Sequence, residues 1–247
     1  MKPSLIAIVP AAGIGARAGC ADGVPKQYRL LQGEPMLRRA VLALLADPRV
    51  AEVRVAVAAD DPWVAQALAG LPRTVWRPCG GPTRAATVRA ALQDAGLAPG
   101  VWVLVHDAAR PGLPASVLAQ LIDTCLWQDR GGLLALPVAD TVKCAMPVAS
   151  SARQDTASSP PPLDAVERTL PRDRLWLAQT PQMFRAGALI AALDACATDD
   201  RVTDEASAVE LSGGLPPLLV PGSRRNDKLT WPEDFEWFES CLRGQAE

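Results

Sequence analysis

The chain has 247 residues, 49% of them apolar, and a formal net charge of −2. That length suits one sizeable α/β domain with its own buried core. The charge balance excludes a general nucleic-acid binder, so any anionic ligand has to be gripped by a local group of Lys and Arg. No apolar run approaches the length of a membrane span, and the chain is expected to be cytoplasmic, with neither a membrane nor a nucleic acid as partner.

Residues 5–9 (LIAIV) form an apolar run that reads as a first core strand. Preceded by Lys2, it has a faint likeness to a signal peptide, but about six apolar residues running into PAAG are too few for one. Residues 35–46 have helical spacing, with Met36, Leu37, Ala40, Val41 and Leu44 on one face. Residues 53–58 alternate as a second strand, 62–69 give a short helix, and 73–76 a third strand. A helix over 83–95 has Thr83 placed as its cap. A strand at 101–105, a helix at 114–127 and a strand at 132–138 continue the alternation. Strands alternating with helices predict an α/β fold: a Rossmann-like three-layer sandwich around a mostly parallel twisted sheet. Ligands of such sheets sit beyond the carboxyl ends of the strands.

The alternation breaks at residues 147–162, PVASSARQDTASSPPP, too rich in Ser, Ala and Pro to pack. The flanking segments 141–145 and 163–169 are extended. Together they read as a hairpin or loop, a β-arm over about 141–169, protruding from one domain that spans 1–247, as either a plain surface insertion or a dimerisation arm. Residues 176–184, helices at 186–195 and 203–211, a strand at 218–220 and a last helix at 232–242 follow.

The chain has six cysteines without a CxxC pair, and one histidine, His106. This excludes zinc sites of the usual Cys/His spacing, and any Cys–His or Ser–His pair not built on His106. His106 itself reads as packed and hydrogen-bonded locally. The opening loop PAAGIGARAG offers Gly13, Gly15 and Gly19, which look like a dinucleotide fingerprint. That motif needs a helix to begin within it and an acid at the end of the second strand. Here the next helix starts near residue 35, and Asp60 and Asp61 come too late. What remains is a glycine-rich loop carrying Arg17 and, nine residues on, Lys26. Two cations there suit a triphosphate, although isolated loop charges are commonly just solvated.

PAAGIGARAG with PKQY looks like the signature of nucleotidyltransferases acting on phosphorylated alcohols. GGPTRAATV (80–88), VLVHDAARP (103–111), PVADTVK (137–143), TLPRDRLWLAQTPQMF (169–184), TDEAS (203–207) and NDKLT (226–230) follow in order. Together they resemble the 2-C-methyl-D-erythritol 4-phosphate cytidylyltransferase family. The resemblance implies transfer of CMP from CTP to the methylerythritol phosphate, with Mg²⁺ or another divalent cation. It implies that Arg17 and Lys26 are catalytic. Pro10, Ala11, Ala12, Gly13, Gly15, Gly80, Gly81, Arg84 and Thr87 would face the nucleotide. Asp107, Arg172, Thr180 and Lys228 would position the acceptor, Asp107 also lying at the metal. The arm would pair two copies into a homodimer, with Arg110 and Thr141 offered to the neighbour's substrate. Alternatives are a cytidylyltransferase for another polyol phosphate such as ribitol 5-phosphate, a non-catalytic CTP-binding protein, and an NAD-dependent oxidoreductase.

Overall fold

The structure is a computed structural model that describes residues 4–13, 23–147 and 164–243. Strand β1 (Leu5–Pro10) leads through a single turn of 3₁₀ helix at Lys26–Tyr28 into a small hairpin, β2 (Leu30–Leu31) and β3 (Glu34–Pro35). Then come α1 (Met36–Leu45), β4 (Val50–Ala56), α2 (Val64–Ala67), β5 (Thr74–Arg77) and α3 (Arg84–Ala95). These are followed by β6 (Trp102–Val105), α4 (Ala115–Gln128) and β7 (Gly132–Pro137). Strands β8 (Val142–Pro147) and β9 (Asp164–Leu170) precede β10 (Trp176–Arg185). The chain closes with α5 (Ala186–Ala195), α6 (Glu205–Leu211), β11 (Leu218–Pro221) and α7 (Pro232–Arg243).

Seven strands form one sheet in the order β11-β7-β10-β6-β1-β4-β5. Strand β1 runs parallel to β4 and β6, β4 parallel to β5, and β11 parallel to β7. Strand β10 runs antiparallel to β6, a departure from the uniform alternation. The chain arrives at β10 from β9 and not through a helical crossover, so nothing obliges it to be parallel.

Period-two alternation sends the side chains of the central strands into two cores. Ala7 and Val9 of β1, Val53 and Val55 of β4, and Leu104 of β6 pack with α1, α2 and α4. Ile8, Ala56, Val103 and Val105 pack with α3, α5 and α6. Both faces are therefore covered, as the strand composition requires. A smaller cluster joins the hairpin to α7 through Leu31, Met36, Phe235 and Phe238.

The chain divides into two compact units, Met1–Ala135 with Ala178–Glu247, and Leu136–Leu177. The second is built on the antiparallel pair β8–β9, with register from Val142↔Leu170 to Pro147↔Asp164. Residues 148–163, most of the expected Ser/Pro-rich tip, lie outside the described residues.

Candidate active site

After β1 the chain visits β4 and β5 on one side, then crosses to β6 on the other. The carboxyl ends of β1 and β6 thus flank the point where the winding reverses, where such sheets leave a crevice. A cleft of about 490 Å³ lies there, walled by Pro10–Gly13 after β1 and by Asp107–Ala109 after β6. Gly81 and Arg84 close one side, and Lys26 and Lys228 also face it.

The local sequence explains each wall. The loop after β1 is held by Gln27, whose amide donates to the Ala11 carbonyl at 2.9 Å. Gly80 packs where a Cβ would run into the Ala12 side chain, so only glycine lets the two loops close together. Thr83 caps α3 through its hydroxyl, which accepts from the Ala86 amide. One turn on, Thr87 accepts from the Gly81 amide at 3.0 Å and donates to the Thr83 carbonyl at 2.9 Å. The CGGPTR loop is therefore shaped by the helix that follows it.

Asp107 is the charge centre of the cleft. Its carboxylate meets the Arg84 Nε at 2.8 Å, the Lys228 ammonium at 2.8 Å and the Arg110 Nε at 3.7 Å. Burial works to raise its pKa, but Arg84, Lys228 and Arg110 outweigh burial and hold it well below the usual carboxylate range. Behind Arg84 stands Glu205, 1% exposed, which receives both guanidinium nitrogens at 2.7 and 3.0 Å. Burial pushes the Glu205 carboxyl up from its ordinary value, with Arg84 working against it. Lys26 donates to the Leu229 carbonyl at 2.7 Å, beside Lys228 in the chain.

Ten of the expected site residues line this cleft: Pro10, Ala11, Ala12, Gly13, Lys26, Gly81, Arg84, Thr87, Asp107 and Lys228. Arg17 and Gly15 lie outside the described residues. Thr141 and Arg172 belong to the unit Leu136–Leu177, where the Arg172 guanidinium donates to the Ala139 carbonyl.

Two of the expected residues are turned into the chain itself. Thr180, expected to touch substrate, is buried, and its hydroxyl accepts from the Asp107 amide at 2.9 Å and bonds His106 Nδ1 at 3.0 Å. Arg110 was expected to reach a neighbour. It is 8% exposed and turned into its own chain, donating to the carbonyls of Asn226 at 2.8 Å and Ala178 at 3.3 Å.

Sequence reasoning passed over Gln27 and Glu205. Both lie inside recognised motifs, PKQY and TDEAS, but a buried carboxylate facing an arginine 121 residues away has no local signature.

The sheet, its two helical layers and the cation-bearing cleft at the winding reversal define a Rossmann-like α/β protein of the nucleotidyltransferase type. The family described as 2-C-methyl-D-erythritol 4-phosphate cytidylyltransferase matches residues 5–244. The chain belongs to that family. A relative of the same description from Bordetella pertussis (strain Tohama I) is 64% identical over 245 residues, covering 98% of this chain and 100% of the relative. A crystal structure of a 4-diphosphocytidyl-2C-methyl-D-erythritol synthase superposes with a TM-score of 0.78 at 35% identity, covering 98% and 99% of the two chains. The Francisella tularensis cytidylyltransferase gives 0.74 at 32% identity, covering 95% and 97%.

Proposed function

We propose that this chain is a CTP-dependent cytidylyltransferase that transfers CMP from CTP to 2-C-methyl-D-erythritol 4-phosphate in isoprenoid biosynthesis, and that the cleft between β1 and β6 is where it does so. The observation that carries the placement is the convergence of Lys26 and Lys228 on one cleft floored by the loop Pro10–Gly13. The nucleotide lies along that loop and against Gly81, and the acceptor phosphate approaches from the side of Lys228.

An acceptor oxygen attacks the α-phosphorus as the bond to the β,γ-diphosphate breaks, so one P–O bond forms, one breaks and pyrophosphate leaves. A phosphate dianion is already nucleophilic, and no strong base is needed. The barrier is the meeting of two polyanions, so catalysis is positioning plus fixed positive charge. Lys26 neutralises charge developing on the triphosphate, as would Arg17. Lys228, steered by Asp107, neutralises the acceptor phosphate. Arg172 is a further acceptor cation by resemblance.

Among the described residues no group of three His, Cys, Asp or Glu side chains could hold a metal. Asp107 is the one carboxylate lining the cleft among the described residues, and both its oxygens face cations. This donor set fits a Mg²⁺ ion bound mainly by phosphate oxygens and water, with Asp107 at most one contact. Such an ion supplies charge neutralisation to the triphosphate.

The arm supports a homodimer. An isolated two-stranded ribbon is marginal, and its edges seek a partner. Here Met146 is 47% and Val166 61% exposed. The economical partner is the same arm of a second copy. Among the described residues no helix is long and apolar enough to cross a membrane. The test is pyrophosphate release from CTP, with and without Mg²⁺, comparing methylerythritol phosphate with ribitol 5-phosphate. Preference for the second acceptor, or CTP binding without release, would overturn the assignment.

A further inference from the structure

His106 is fully buried, at the end of β6 and next to Asp107, and the transfer chemistry makes no use of it. Its two ring nitrogens have different partners. Nε2 lies 3.0 Å from the Arg110 carbonyl. A carbonyl only accepts, so Nε2 carries the proton. In the neutral ring Nδ1 then bears a lone pair, and it faces the Thr180 hydroxyl at 3.0 Å. That hydroxyl already accepts from the Asp107 amide, so its own proton goes to Nδ1. Every donor and acceptor role is thereby fixed.

The circuit continues on the far side. The Thr180 carbonyl accepts from the Asn226 amide at 2.7 Å. The Asn226 carbonyl accepts from the Arg110 guanidinium at 2.8 Å. The Arg110 carbonyl returns to His106. Four residues from three segments of the chain close one ring of hydrogen bonds, and none is more than 8% exposed. The two residues that meet in the cleft hang from this ring. Asp107 hangs by its amide on Thr180, and Lys228 follows Asn226 by two residues.

We infer that His106 is a positioning residue for the transfer: its ring closes the circuit that sets the Asp107 carboxylate and the Lys228 ammonium in register across the cleft. This rests on the functional reading above. A histidine that only filled space would leave the Asp107–Lys228 geometry to other contacts. Here Nε2 is committed to the segment that carries Asp107, and Nδ1 to Thr180, which holds the Asp107 amide and whose carbonyl takes Asn226, two residues before Lys228. Imidazole spans the two partners at once, which no aliphatic side chain can do.

The experiment uses the full chain. His106 is the only histidine, so the ¹⁵N imidazole spectrum holds a single spin system. It should show the Nε2–H tautomer, and Thr180→Val should shift Nδ1. The Nδ1–H tautomer, or no response to Thr180→Val, overturns the circuit. In turnover, His106→Gln can still donate to the Arg110 carbonyl but loses Thr180. His106→Asn keeps an acceptor for Thr180 but loses Arg110. Both should lower kcat by about 10- to 100-fold per folded molecule, the scale of a misplaced reacting group, while the KM for CTP changes little. Wild-type kcat in both variants overturns the proposal. If both fail to fold, Thr180→Ser should keep turnover and Thr180→Val should lose it, and equal rates overturn the proposal instead. A wild-type chain with the expected tautomer that releases no pyrophosphate overturns the functional reading. An active one with the other tautomer overturns only the circuit.

Discussion

The Lys26 ammonium and the Leu229 carbonyl, 203 residues apart, meet at 2.7 Å. This contact fastens the segment after the opening loop to the segment that carries Lys228, whose own ammonium sits 2.8 Å from Asp107. One short stretch near the carboxyl end therefore organises both lysines of the cleft.

From this arrangement, Lys26→Ala and Lys228→Ala should each lower kcat by about 100-fold, the scale of losing one fixed donor to the transition state. Because the two segments are joined, the double variant should fall short of the product of the single effects. Arg17→Ala is expected to behave like Lys26→Ala. Steady-state pyrophosphate assays check all four proteins, and near-normal rates would mean that these cations do not act on the reacting phosphates.

Replacing Arg172 with Gln should lower kcat/KM for the acceptor by about 1.5–3 kcal/mol, the range for a hydrogen bond to a charged group. CTP affinity, read by calorimetry, should be spared. Loss of CTP binding with the acceptor retained would place Arg172 on the wrong substrate.

Glu205→Gln should destabilise the fold by about 3 kcal/mol, because it leaves the Arg84 guanidinium short of its bidentate carboxylate partner in a buried site. Urea unfolding measures this. A loss near zero would mean that water or the Asp107 carboxylate takes over the partnership.

Gly80→Ala should weaken CTP binding and reduce stability by about 1–3 kcal/mol, since the new methyl needs the space held by Ala12 and the Val57 carbonyl. Gly96→Ala, at a helix end with no atom near the added Cβ, is a suitable contrast. It should carry only the strain of φ +57 and leave CTP binding alone.

Cys125 is fully buried, and burial pushes its thiol up to about 12. Only the thiolate is nucleophilic, so Cys125 should resist alkylation in the folded protein at pH 8. Cys144, Cys196 and Cys241 are partly exposed and should react first. Mass mapping after brief alkylation checks the order, and early labelling at Cys125 would refute it.

Much of the fold was legible from pattern. Helix α5 falls on the expected residues 186–195, and the cap at Thr83 is where its hydroxyl and the apolar spacing put it. Repeating apolar faces and capping groups act over one or two turns, and such signals lie within the chain's own neighbourhood. The hairpin β2–β3 has only two residues in each strand, too few for any periodicity to show.

The motifs alone brought ten of the expected residues to one cleft, because each follows a strand end or opens a helix, and a wound sheet gathers those positions. Side-chain direction was another matter. Whether Thr180 and Arg110 face a ligand or the interior depends on what stands opposite them. Their partners, Asp107, Asn226 and Ala178, come from segments up to 116 residues away. The same holds for the antiparallel run of β10 and for the Glu205–Arg84 pair. Residue types and their local spacing thus determined which elements form and which loops carry the chemistry. Only the tertiary structure decided which polar groups point outward, because a buried donor must be satisfied by whatever acceptor the fold brings to it.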